Sequence, residues 1–203
     1  MLRYVLFTLL ITLCSSALFA NDYYKGLELF NKKKIEESIS FFKKVASDEG
    51  NEKRSDAMFN IALIYDNGFG IQTDKTRALY YYEAASQLSN KYALFNLGWM
   101  YYNGENVNKD VIKAFDLYKL ASDFGHPRAM FNLANMFYSG TGTVKDLKMA
   151  YKMFLKSKMN GIQESKFYIN KISSLLTPEE LALLNSEFDS LIEKKIVLPQ
   201  VEQ

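Results

Sequence analysis

Apolar residues recur along this chain at helical steps, and the stripes they form repeat every 36 residues. In 91–103 the positions Leu94, Leu97 and Tyr101 fall at three- and four-residue steps, on one face of a helix. Gly98 lies on the same side and has no side chain, so the following helix can approach closely. Gly104 stops the helix, because glycine enters the left-handed conformation freely. The segment 105–109 reads as a loop with one apolar anchor, Val107. Asp110 then stands where a carboxylate accepts hydrogen bonds from the free amides of the next helix. Ala114, Leu117, Tyr118 and Ala121 stripe that second helix, and Gly125 closes it. The same spacing predicts helices over 55–66 and 75–88 in the preceding copy. In the following copy it predicts 127–138 and 147–159, opened by His126-Pro127 with proline in the first turn.

The register holds across three copies. Ala57, Ala93 and Ala129 share a slot whose next occupant is the small Ser165. Asn60, Asn96 and Asn132 share another, as do Tyr65, Tyr101 and Phe137, then Gly68, Gly104 and Gly140, then Asp74, Asp110 and Asp146, then Ala78, Ala114 and Ala150. A fixed period of this size marks a stacked array whose units cannot bury their apolar faces alone. The expected fold is all-α, an α-solenoid of about four and a half stacked antiparallel helix pairs.

The ends of the array depart from the pattern. Residues 22–47 read as a divergent opening pair, striped by Tyr24, Leu27 and Phe30 and then by Ile35, Ile39, Phe42 and Ala46, with a short loop at 31–34. After Gly161, the residues Phe167, Ile169 and Ile172 suggest an incomplete further first helix. Thr177-Pro178-Glu179-Glu180 is a capping box with proline at the first helical position. It opens a final helix through Leu181, Leu184, Phe188 and Leu191 that is expected to cover the last open face. The expected organisation is a leader at 1–20, a divergent pair and link at 21–56, repeats at 57–92, 93–128 and 129–161, a partial repeat and capping helix at 162–195, and a tail at 196–203.

This register resembles the Sel1-like repeat, a relative of the tetratricopeptide repeat. Ala93, Leu97, Gly98, Tyr101, Gly104, Val107, Asp110, Ala114 and Ala121 match its pattern slot by slot. The first copy supplies Ala57, Ala62, Tyr65, Gly68, Gly70, Ile71, Asp74, Ala78, Ala84 and Ala85. The third supplies Ala129, Leu133, Ala134, Phe137, Gly140, Gly142, Asp146 and Ala150. The resemblance implies a right-handed superhelix whose first helices line a concave groove, and a role in scaffolding protein assemblies. Some exported members are cysteine-rich and have been assigned weak penicillin binding or β-lactamase activity. A cell-wall or β-lactam-hydrolysing enzyme is therefore the alternative reading, disfavoured because the repeats here carry no cysteine.

The first twenty residues read as a secretory signal peptide cleaved after Ala20: a positive start at Arg3, a charge-free apolar run from Tyr4 to Leu13, then small residues. That run is short of the roughly 20 residues a membrane span needs. Leu13 stands where a lipoprotein signal wants a small residue before Cys14. Export to the periplasm, or secretion, is the expectation. Cys14 is the only cysteine, so the mature chain would hold no disulfide and depend on packing alone. Without Arg3, 24 basic residues face 23 acidic ones, and they are interspersed. No basic patch of the kind nucleic-acid binding uses is formed. The expected partner is a protein or peptide segment in the cell envelope, with no nucleic acid, no cofactor and no stable membrane span after cleavage.

On the first helices, positions off the core stripe are expected to face the groove. They are Phe59, Leu63 and Asp66, then Phe95, Trp99 and Tyr102, then Phe131, Asn135 and Tyr138. Aromatic side chains bring large contact area at low entropic cost, so Trp99 and Tyr102 are the foremost candidate contacts. The same rings could instead fill a tightly curled array. Asn60, Asn96 and Asn132 form a polar row able to hold a bound peptide backbone, or to bond a neighbouring unit. Catalytic readings are weaker. His126 is the only histidine and reads as a residue of the link between repeats, with no second histidine to build a zinc site and no triad around it. Ser40-Phe41-Phe42-Lys43 fits Ser-x-x-Lys without the Ser-Asp-Asn or Lys-Thr-Gly that accompany it in penicillin-recognising enzymes. Gly68-Phe69-Gly70 and Gly140-Thr141-Gly142 are inter-helix turns rather than phosphate loops.

Overall fold

Glycine and aspartate punctuate the chain where the sequence places them. Gly68, Gly104 and Gly140 each end a helix in the left-handed conformation, at φ of 66°, 76° and 75°. Asp74, Asp110 and Asp146 each open the next by accepting a backbone amide hydrogen bond. The computed structural model describes residues 22–197, with side chains through residue 190, so the leader expected at 1–20, the tail beyond 197 and the Leu191 side chain lie outside it. The helices are α1 (22–31), α2 (Ile35–Ser47), α3 (Arg54–Asn67), α4 (Lys75–Gln87), α5 (Lys91–Asn103), α6 (Val111–Asp123), α7 (Pro127–Ser139), α8 (Leu147–Met159), α9 (Ser165–Ser173) and α10 (Pro178–Val197). No strand occurs among the described residues. The architecture is the all-α solenoid class, helices packing on their chain neighbours.

The chain divides into two compact units, one ending at Lys109 and one beginning at Asp110. In unit 1, α2 packs on α3, α3 on α4 and α4 on α5. Alanines let these axes come close: Ala57, Ala62, Ala78, Ala85 and Ala93 are all completely buried. The larger Phe42, Ile61 and Tyr82 fill the space left between them, as close packing requires. At the opening pair the approach is tight. A Cβ on Gly26 would meet the Phe42 ring at 2.7 Å, and the Ser38 hydroxyl donates to the Gly26 carbonyl at 2.8 Å.

In unit 2, α7 packs between α6 and α8, and α8 also carries α9 and α10. Ala134, Ala150, Phe154, Ile172 and Leu184 form its core. The capping box at α10 forms reciprocally: the Glu180 amide donates to Thr177 Oγ1 at 3.2 Å, and the Thr177 amide donates to the Glu180 carboxylate at 3.0 Å. Leu184 is the residue by which α10 enters the core, and Tyr151 donates to Asn185 Oδ1 at 3.0 Å beside it.

Two expected core positions are corrected. Tyr24 is 58 % exposed, because the buried face of α1 runs through Gly26 and Leu29 instead. Phe167 is 65 % exposed. In earlier copies the phenylalanine of this slot packs on a ring twenty-three residues later, Phe59 on Tyr82 and Phe131 on Phe154. The residue at that distance from Phe167 is Ser190, which offers no ring.

Candidate functional site

In unit 1 the candidate residues sit on α3 and α5. Phe59 is half-buried, with ring centroids 6.0 Å from Tyr82 and 5.5 Å from Tyr92. Asn60 donates to the Tyr23 hydroxyl at 3.2 Å, across to the opening helix. Burial pushes the Tyr23 hydroxyl above its usual range, and the Asn60 bond partly offsets it. Phe95 and Asn96 are half-buried, and the Asn96 amide acts on the buried Tyr82 hydroxyl in the direction that favours its ionised form. Trp99 is 45 % exposed, an indole left open to solvent one turn from the end of its helix. Tyr102 is half-buried, with the Lys109 ammonium 5.9 Å from its ring centre.

Trp99 and Asn96 line a cavity of about 350 Å³ whose other walls include Leu63, Asp66, Lys75 and Glu105. Lys75 bridges two carboxylates here, Asp66 at 2.7 Å and Glu105 at 3.8 Å. The hydrogen bond to Asp66 is the main reason the Lys75 ammonium is held above its ordinary range. Tyr82 donates to the second Asp66 oxygen at 3.1 Å. Its burial first, and the Asp66 charge next, raise the Tyr82 hydroxyl well above the usual phenol value. Two carboxylates and one ammonium leave the cavity one negative charge, next to an exposed aromatic ring. Such a surface can take an apolar or basic side chain with the indole as platform.

Sequence reasoning placed Asp66 on this face but missed Lys75, Tyr82 and Glu105. The available signal was a change of slot chemistry: Asp66 and Lys75 stand where the third copy has Tyr138 and Leu147. An apolar pair across the loop has become an ion pair.

In unit 2 the candidates on α7 are taken up by packing. Phe131 meets Phe154 at 5.5 Å and Tyr168 at 5.8 Å, and Tyr138 meets Tyr168 at 5.9 Å. The Lys171 ammonium lies 5.5 Å from the Tyr138 ring centre. Asn135 donates to the Phe131 carbonyl of its own helix at 3.1 Å, and Asn132 is half-buried. Ser40 and Lys43 are exposed on α2, and Phe42 between them is 1 % exposed in the core.

His126 is more than a link residue. It is the N-cap of α7, its Nδ1 accepting from the Ala129 amide at 3.2 Å from a site 7 % exposed. It stands in the slot of Asn90, which caps α5 by accepting from the amides of Tyr92 and Ala93. Among the described residues no cluster of three or more His, Cys, Asp or Glu could hold a metal ion, and no helix is long and apolar enough to cross a membrane.

The Sel1 repeat family model matches residues 55–90, 91–126 and 127–162, more than half of the chain. These bounds have the expected 36-residue period and start two residues earlier than the copies delimited from the sequence. No curated protein matches. Among solved structures, a Sel1 repeat protein from Oxalobacter formigenes is similar at 25 % identity with a TM-score of 0.65, over 72 % of this chain and 58 % of that one. The protein c5321, a protective antigen of uropathogenic Escherichia coli strains displaying an SLR fold, is similar at 23 % identity with a TM-score of 0.62. That likeness covers 70 % of this chain and 32 % of the other, and it speaks to the fold alone. The chain thus spans under two thirds of the length of each of these two structures.

Proposed function

We propose that this chain, which belongs to the Sel1 repeat family, is an exported, non-enzymatic scaffold that holds a protein or peptide segment against the first-helix face of unit 1. Sel1 repeats are typically protein-interaction modules, which supports the class of function. The observation that carries the site is Trp99, 45 % exposed beside a cavity walled by Leu63, Asn96 and the Asp66–Lys75–Glu105 cluster. Burying a large indole against a partner supplies most of the energy of a small contact surface, and tryptophan is enriched at such centres. Asn96 and Glu105 supply polar groups at its edge, and Phe95 and Tyr102 flank it on the same helix. Export to the cell envelope rests on the leader-like pattern of residues 1–20.

The test is peptide display against the full chain, followed by direct binding of the selected peptides to the unaltered protein and to Trp99→Ala. Peptides that bind the unaltered protein and lose most affinity for the variant support the site. Selected peptides that bind both equally would remove Trp99 from the function.

A further inference from the structure

We propose that the methionine-lined cavity of unit 2 is a binding site for a single-chain amphiphile with an anionic head. The cavity measures about 720 Å³, within the roughly 300–1,000 Å³ typical of small-ligand sites. Its apolar wall is unusual in composition. Met130 and Phe137 come from α7, Met149, Met153 and Met159 from one face of α8, and Phe188 of α10 closes one side. Methionine is unbranched and polarizable, and it adapts to flexible apolar ligands better than the branched residues of a fixed core. Met159 is 54 % exposed, so the wall is open to solvent rather than sealed inside the unit. Apolar walls of this kind offer water few hydrogen-bond partners, so filling them with hydrocarbon is favourable.

Charge at the rim selects the head. Lys119 on α6 and Lys156 on α8 line the mouth, together with Asp123. None of the three makes an ion pair among the described residues. The balance is one positive charge, and two free ammonium groups over an apolar cleft suit a carboxylate or phosphate joined to an alkyl chain. Asn160, also at the rim, already donates to the Lys156 carbonyl at 2.8 Å.

The first copy differs at the corresponding place. Arg77 and Tyr65 occupy there the slots of Met149 and Phe137, lining a smaller cavity of about 390 Å³. That arginine is committed to Asp74 at 3.2 Å and to the Tyr65 ring. The cation of the first copy therefore neutralises its own carboxylate, whereas the third copy leaves hydrocarbon room beneath free lysines. By helical periodicity the cavity residues of α7 lie on the face opposite Phe131, Asn135 and Tyr138. The site lies within unit 2 and shares no residue with the face proposed on unit 1.

The full chain, carrying methyl-labelled methionine, is titrated below micelle-forming concentrations with dodecanoate, dodecyl phosphate, dodecanol and inorganic phosphate, each alone. The expected result is saturable shifts of the Met130, Met149, Met153 and Met159 methyl signals, with Met58 and Met100 unmoved. The anionic amphiphiles should bind about tenfold more tightly than dodecanol, the worth of one charge-assisted contact. A Lys119→Ala/Lys156→Ala protein should lose that preference. Whichever of dodecanoate and dodecyl phosphate binds more tightly identifies the head group. Absence of cavity shifts with either anion, equal shifts in both units, or equal affinity for dodecanol in the unaltered chain would each overturn the proposal. So would a response to inorganic phosphate as strong as that to dodecyl phosphate. The ranking on the unaltered chain decides the matter even if the double variant fails to fold.

Discussion

Tyr82 donates its hydroxyl to Asp66 Oδ2 at 3.1 Å from a ring that is 1 % exposed, and the same carboxylate holds Lys75 through its other oxygen. One aspartate therefore ties a core tyrosine of α4 to an ammonium at the site. The ionisation of Tyr82 consequently bears on stability. Its folded value is raised, by burial first, so the stabilising contribution is complete below the ordinary phenol value of about 10 and is lost as pH rises beyond it, where the unfolded chain ionises first. Urea midpoints measured across this alkaline range should fall less steeply in Tyr82→Phe than in the unaltered chain. Tyr23 and Tyr81 are raised by burial too, so the variant flattens the alkaline limb without abolishing it. Identical slopes would contradict the assignment.

Ser165 stands in the slot of Ala57, Ala93 and Ala129, and it is as fully buried as they are. Its hydroxyl oxygen has no hydrogen-bond partner. Ser165→Ala should stabilise the protein by about 1 kcal/mol, since an unsatisfied buried hydroxyl is removed at no loss of contact. The measurement is the urea midpoint. A decrease would mean that the hydroxyl is bonded in solution.

His126 and Asn90 do the same work one period apart, each accepting from the first amides of a first helix. His126→Asn should leave thermal stability nearly unchanged, whereas His126→Ala should cost about 1 kcal/mol through loss of the cap. Equal loss in both variants would assign the histidine to packing rather than capping.

Gly142 and Gly125 both have positive φ, 71° and 79°, but their surroundings differ. A Cβ at Gly142 would be driven into the Val111 carbonyl oxygen, while a Cβ at Gly125 meets nothing within 4 Å. Gly125→Ala should cost about 1–2 kcal/mol for the backbone alone. Gly142→Ala should cost distinctly more in the same chemical-denaturation assay. Equal costs would show that the 140–142 turn can move away from α6.

The repeat helices were legible because their boundaries carry chemistry that repeats: a left-handed glycine behind each first helix and a capping aspartate before each second one. The ends of the array were less so. Tyr24 and Phe167 look like core residues by register, but a slot in a repeat is buried only when the neighbouring unit supplies its partner. Ser190 in place of a ring leaves Phe167 open. Capping by His126 was hidden because histidine is not a favoured N-cap residue, and only its alignment with Asn90 reveals it. At the candidate site, Trp99 was legible as an off-stripe aromatic. The Lys75–Glu105 contact was not, because it joins two loop-flanking positions thirty residues apart whose proximity follows from stacking. The cavity in unit 2 was also hidden, since methionines at helical spacing read as ordinary core.

Trp99 is the only tryptophan in the chain, so its emission reports directly on the proposed site. The most direct test titrates the full chain with a display-selected peptide and follows that emission. A saturable blue shift, with binding measured by calorimetry lost in the tryptophan-free Trp99→Ala while its thermal unfolding stays near that of the unaltered chain, is the predicted result. Tight binding with unchanged Trp99 emission, and equal affinity for the variant, would contradict the account.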